Sequence, residues 1–188
     1  MELRVIERKE FNPIFERITK DFPRIERPSR GVFRNRILHG LWECVGLYEG
    51  EQLLAYAVMS VNLPSGYAFL MFLAVDAAGR GKGTGSRMLA ALKERYQDSK
   101  GLIIEVEDPA IAKTQQEKEI RERRIRFYER AGYVRLPVKY WLVGQPMHLM
   151  YCGEQPPENI QEVVWQAYGT PASACIRRRF YCVKEETE

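Results

Sequence analysis

The residues best able to do chemistry sit in one short turn, Arg80-Gly81-Lys82-Gly83-Thr84-Gly85-Ser86, with Gly79 just before it. Glycines at 79, 81, 83 and 85 let the backbone approach a ligand closely, because no Cβ stands in the way. The apolar run Tyr67 to Val75 precedes the turn and reads as a strand buried on both faces. Met88, Leu89, Leu92 and Tyr96 follow it as the stripe of an amphipathic helix. A helix starting here offers unpaired N–H groups and a positive dipole end to an anion, and a pyrophosphate is the natural guest. Other phosphate loops fit poorly. A Walker A loop needs GxxxxGK[ST], yet Lys82 is followed by Gly83, and Asp76 holds the first glycine's place. The dinucleotide pattern GxGxxG fails from Gly79, Gly81 and Gly83, because its last position is then Thr84, Ser86 or Met88. An ordinary strand-to-helix turn is the bland alternative, which the flanking Arg80 and Lys82 disfavour.

Glu105 and Glu107 are two apart on an expected strand and therefore share a face, while Leu102, Ile104 and Val106 meet a core. Carboxylates on an otherwise buried strand need a reason. One reason is recognition of an amine, with one carboxylate acting as general base directly or through water. The other is an edge pair, or ion pairs with the arginine-rich helix that follows. Both stay open, with Glu105 the deeper of the two in the strand. Arg24, Arg27, Arg30, Arg34 and Arg36 crowd one segment and are read as a solvated basic face or as selectors of an anionic acceptor. His39 and His148 are isolated, so no metal is expected. Cys44, Cys152, Cys175 and Cys182 form no CxxC pair and read as reduced thiols of a cytoplasmic protein, with a disulfide late in the chain as the lesser alternative.

The stretch AVDAAGRGKGTGSRML resembles motif A of the GNAT superfamily of N-acetyltransferases, with Arg80, Gly83 and Gly85 at the signature positions of (Gln/Arg)-x-x-Gly-x-(Gly/Ala). Ile125-Arg126-Phe127-Tyr128-Glu129-Arg130-Ala131-Gly132-Tyr133 is similar to motif B of that superfamily, often written FYxxxGF. It follows motif A in the right order, at the close of a helix. The resemblance implies that backbone amides of Gly81, Lys82, Gly83, Thr84, Gly85 and Ser86 bind the pyrophosphate of coenzyme A, beside Arg80. It implies that main-chain groups near Leu73 and Val75 hold the pantetheine arm and the thioester carbonyl. It also places Tyr128 near the thioester sulfur, as the acid that protonates the departing thiolate. A phenol with an ordinary pKa of ~10 keeps its proton at neutral pH and can give it to a thiolate whose parent thiol is near ~8.5. Phe127 is expected in the core. Two departures stand out: Ala77 replaces a proline common in relatives, and Glu105-Val106-Glu107-Asp108-Pro109 lacks the asparagine that often helps hold the cofactor.

These residues need elements to position them. Leu3 and Val5 suggest a first strand, and Phe11, Ile14, Phe15 and Ile18 a helix beginning at Asn12-Pro13. Pro23 to Arg36 reads as a loop with a short helix. Leu41 to Tyr48 and Leu53 to Val61 read as strands joined at Gly50. A long charged helix is expected after Leu102 to Val106, ending at Gly132. Tyr133 to Tyr151 holds at least one strand broken at Gly144-Gln145-Pro146, and Ile160 to Tyr168 one more helix. Ile176 to Val183 is ambiguous. Trp165, Tyr168, Phe180 and Tyr181 are read as core, pocket wall or oligomer surface, which leaves a homodimer open.

The chain has 188 residues, 45% of them apolar and 29% charged, the balance of a globular protein. A net charge of +4, with acids interleaved among the bases, gives no ground for a nucleic-acid partner. No segment reaches the ~18 consecutive apolar residues of a membrane helix, and the amino terminus lacks the apolar core of a signal peptide. The order of elements points to an α/β domain, and the resemblance implies one GNAT-like domain over residues 1–188 with a mixed, mostly antiparallel central sheet flanked by helices. The activity that the resemblance implies is transfer of acetyl from acetyl-CoA, a cosubstrate, to a primary amine of a small molecule by direct attack, with no metal and no membrane partner expected. The alternatives are acetylation of a protein amino terminus or lysine, and a noncatalytic acyl-CoA-binding module.

Overall fold

A computed structural model describes residues 1–24, 26–169 and 181–185. The chain forms two compact units, one of residues 1–62 and 70–95, the other of residues 63–69 and 96–188. Each is therefore built from two stretches of chain.

The first unit carries strands β1 (Glu2–Val5), β2 (Trp42–Glu49) and β3 (Gln52–Ser60), with helices α1 (Phe11–Asp21), α2 (Arg30–Leu38) and α3 (Thr84–Arg95). Most of β4 (Ala68–Val75) also belongs to it. β1 runs antiparallel to β2, and β2 to β3. The β2–β3 turn uses Gly50 at φ +58°, a left-handed conformation that glycine adopts without a Cβ penalty. Helix α1 begins at Phe11, two residues ahead of Pro13, and buries Ile14, Phe15 and Ile18, one stripe at 3.6-residue spacing. Phe15 and Phe33 of α2 pack ring to ring at 5.4 Å. Ser29 caps α2 by accepting the Val32 N–H. Central residues of β2 to β4 are buried, as their near-continuous apolar runs require.

The second unit carries β5 (Gly101–Glu107), β6 (Val134–Arg135), β7 (Val138–Leu142), β8 (Gln145–Gly153) and β9 (Tyr181–Glu185), with helices α4 (Gln115–Arg130) and α5 (Ile160–Tyr168). Its strands run in the order β5-β8-β7-β9, with β6 on β8, and every pairing among them is antiparallel. The break expected at Gly144-Gln145-Pro146 is narrower than that. Val143 and Gly144 make the turn at φ +50° and +80°, and Gln145 already pairs with Leu142. Thr114 caps α4 by accepting the Glu117 N–H, and Gly132 at φ +84° follows its end. Asn159 caps α5, and Gly169 at φ +54° closes it.

Of the ambiguous stretch 176–183, residues 181–183 open β9, and the rest lies outside the described residues. Cys175 and Phe180 lie outside the described residues. Cys44 is buried and Cys152 half-buried, both as free thiols. No helix among the described residues is long and apolar enough to cross a membrane.

Candidate active site

The turn after β4 does two jobs with its glycines. Gly81 and Gly83 sit at φ +75° and +74°, and a Cβ at either would meet no protein atom within 4 Å. Those two positions make an open, glycine-only cradle. Gly79 is different: its Cβ would lie 3.1 Å from the Thr84 hydroxyl, 3.2 Å from Val75 and 3.3 Å from the Leu54 carbonyl oxygen. It lets the chain pack against β3, so its role is structural, and Gly85 lies inside α3. The first α3 bond runs from the Arg87 N–H to the Gly83 carbonyl at 3.0 Å. The amides of Thr84, Gly85 and Ser86 therefore precede any intrahelical acceptor and carry the positive dipole end. Thr84 is buried, while Gly81, Lys82, Gly83 and Ser86 are exposed.

The end of β4 is pinned from two directions. The Asp76 N–H donates to the Leu54 carbonyl at 2.8 Å, and the Asp76 carboxylate pairs with Arg17 of α1 at 3.2 Å. Arg80 turns back, its Nε donating to the Val75 carbonyl at 3.2 Å. That carbonyl was expected to be available to a pantetheine arm along with groups near Leu73, and Arg80 now holds it. Leu73 and Val75 are both half-buried. The structure thus brings Leu73, Val75 and residues 80–86 to one end of β4.

In the second unit, Tyr128 lies on the last turns of α4 and is the one buried residue of that helix. Its ring meets Phe127 at 5.0 Å and Tyr133 at 5.7 Å. Burial pushes its phenol up to about 12, with nearby Arg124 pulling slightly the other way. Phe127, expected in the core, is only half-buried, because α4 turns Tyr128 inward instead.

Glu105 and Glu107 share a face of β5, as their spacing requires, but their partners differ. Glu107 takes close ion pairs with Arg124 and, at 3.4 Å, with Arg121, both from α4. These are ion pairs with the arginine-rich helix that follows β5. Glu105 accepts a hydrogen bond from the Tyr168 hydroxyl at the end of α5. Nothing in the sequence pairs these two residues, which lie 63 positions apart.

His148 is buried on β8, with Nε2 3.5 Å from Asp108, whereas His39 ends α2 on the surface. No group of three or more His, Cys, Asp or Glu side chains placed to hold a metal occurs among the described residues. Of the arginine-rich segment, Arg27 donates to the Thr19 carbonyl at 2.8 Å, and Arg30 lies over the Phe15 ring and 3.9 Å from Glu16.

The first unit thus carries a strand that runs into an open glycine turn and a helix start, and the second carries a buried tyrosine near the end of α4. The family model described as the acetyltransferase (GNAT) domain matches residues 41–135, about half of the chain, and the chain belongs to that family. Among curated proteins, none matches. Among solved structures, an acetyltransferase of the GNAT family from Bacteroides thetaiotaomicron superimposes with a TM-score of 0.69 at 18% identity, covering 90% of this chain and 99% of that one. An aminoglycoside 6'-N-acetyltransferase complexed with coenzyme A gives 0.63 at 14% identity over 83% of this chain and 99% of its own. The ribosomal-protein-S18-alanine N-acetyltransferase of Escherichia coli gives 0.58 at 19% identity over 84% and 97%. These likenesses bear out the α/β GNAT fold with its mostly antiparallel sheet.

Proposed function

We propose that the chain, as one domain over residues 1–188, transfers acetyl from acetyl-CoA to a primary amine of a small molecule. The observation that carries this is the cradle at Gly81 and Gly83, open where a Cβ would stand and continuous with the first amides of α3. Residues that fit a pyrophosphate there are Gly81, Lys82, Gly83, Thr84, Gly85 and Ser86, with the positive charge of Arg80 beside them. Bound acetyl-CoA supplies an activated thioester carbonyl. Main-chain groups near Leu73 hold the pantetheine arm, and backbone amides stabilise the oxyanion. Glu105 takes the proton of the acceptor ammonium, and Tyr128 gives its phenolic proton to the leaving thiolate. The burial of Tyr128 keeps that proton in place across the neutral range.

The test is calorimetric binding of acetyl-CoA to the parent, to Gly83→Val and to Gly50→Val, followed by an amine screen read as release of CoA thiol. Both glycines have positive φ and an open Cβ position, so both valines strain the backbone alike. Gly83→Val should weaken binding at least tenfold and Gly50→Val should not. Equal affinities would remove the assignment of the turn. Turnover of amino-terminal peptides in place of small amines would transfer the acceptor to the protein class. Binding without turnover of any amine would mark an acyl-CoA-binding module.

A further inference from the structure

We infer that Tyr168 is a positioning residue for the acceptor amine, its hydroxyl holding the Glu105 carboxylate charged and oriented to receive the ammonium proton. This rests on the acetyltransferase reading above and adds a residue to it. Tyr168 is the last residue of α5, and the helix is well anchored there. Val163, Val164 and Ala167 are buried, and the Gln166 side chain accepts the Ser65 N–H at 3.0 Å. The Tyr168 ring stands edge-on to Phe69 at 6.2 Å. A hydroxyl delivered by a packed helix and a packed ring has little freedom to leave, so its bond to Glu105 fixes the carboxylate's orientation.

Donation to a carboxylate favours the charged form, the form a base must be in before it acts. The proton then passes from the ammonium nitrogen to a Glu105 oxygen, leaving a neutral amine. Its lone pair forms the N–C bond as the C–S bond breaks, Tyr128 protonates the thiolate, and the second proton shed by the new amide nitrogen returns through water to the Tyr128 phenolate. Tyr168 keeps its own proton throughout. Glu107, two residues on, cannot replace Glu105 in this role because Arg121 and Arg124 hold it against α4.

Titratable groups on the elements beside Glu105 include Glu107, paired with Arg121 and Arg124 from α4, and His148 of β8, next to Glu105's register partner Leu149 and 3.5 Å from Asp108. On α5, Glu162 bonds Gln166.

The experiment compares the parent, Tyr168→Phe, Glu105→Gln and His148→Gln in the full chain. It reads kcat/KM for the acceptor against pH, and the Glu105 side-chain carboxyl titration by 13C NMR. Tyr168→Phe should move the acid limb and the carboxyl midpoint upward by about one pH unit, because a donor to the charged form is gone. Its acetyl-CoA affinity should stay within twofold of the parent. Glu105→Gln should erase the acid limb and His148→Gln should leave it. If Tyr168→Phe leaves both midpoints in place while the parent turns over normally, Tyr168 serves only to anchor α5 and the proposal falls. An acid limb that survives Glu105→Gln overturns it equally. A parent that binds no acetyl-CoA overturns the acetyltransferase reading itself, and with it this role.

Discussion

Replacing Tyr128 by phenylalanine removes one oxygen from a buried ring and leaves its contacts with Phe127 and Tyr133 intact. The fold should therefore survive, with stability changed by about 1 kcal/mol at most, the scale of one hydroxyl. Acetyl-CoA affinity should hardly move. If Tyr128 protonates the leaving thiolate, kcat should fall by about 100-fold or more, equivalent to roughly 2.7 kcal/mol on the barrier. The pH profile supplies a second measurement. With the phenol pushed up to about 12 by burial, only about 0.1% is ionised at pH 9, so Tyr128 imposes no alkaline loss of activity below about pH 11. The linked stability has the same sign. A phenol whose pKa is higher in the folded state than in the unfolded chain adds stability that is fully present below pH ~10 and is lost as pH rises towards 12. The assay is steady-state kcat with a reactive amine from pH 6 to pH 10, alongside calorimetric binding on the same preparation. A kcat within a few-fold of the parent would refute the role, and water or another group would then supply the proton.

Glu107→Gln removes the carboxylate between Arg121 and Arg124 and should lower thermal stability by roughly 1 kcal/mol while leaving kcat/KM near the parent value. Glu105→Gln should do the reverse, and equal kinetic losses in the two variants would contradict the division of labour drawn here. Gly79→Ala forces a methyl to within 3.1–3.3 Å of Thr84, Val75 and the Leu54 carbonyl, and should cost about 1–3 kcal/mol in a denaturant melt. A melt unchanged from the parent would mean that the turn is looser than it appears.

Much of the framework was legible in the chain itself, because it depends on near neighbours. Helical spacing in Phe11 to Ile18, the glycine at position 50, the turn glycines at 81 and 83 and the cap at Gly132 are all local constraints. They act through backbone torsion and side-chain period, and the sequence states both directly. The pairing of Glu105 with Glu107 on one face followed from strand alternation in the same way. What each carboxylate meets did not follow. Arg121 and Arg124 claim Glu107 because α4 folds back along β5, while Tyr168 reaches Glu105 from a helix far along the chain. The four turn glycines look alike in sequence, yet Gly79 is packed against β3 and Gly81 and Gly83 are open. Arg80's hold on the Val75 carbonyl was equally invisible. In each case the deciding quantity is the position of a side chain across a sheet or between helices. Packing of the whole hydrophobic core sets that position, and no window of local sequence contains it.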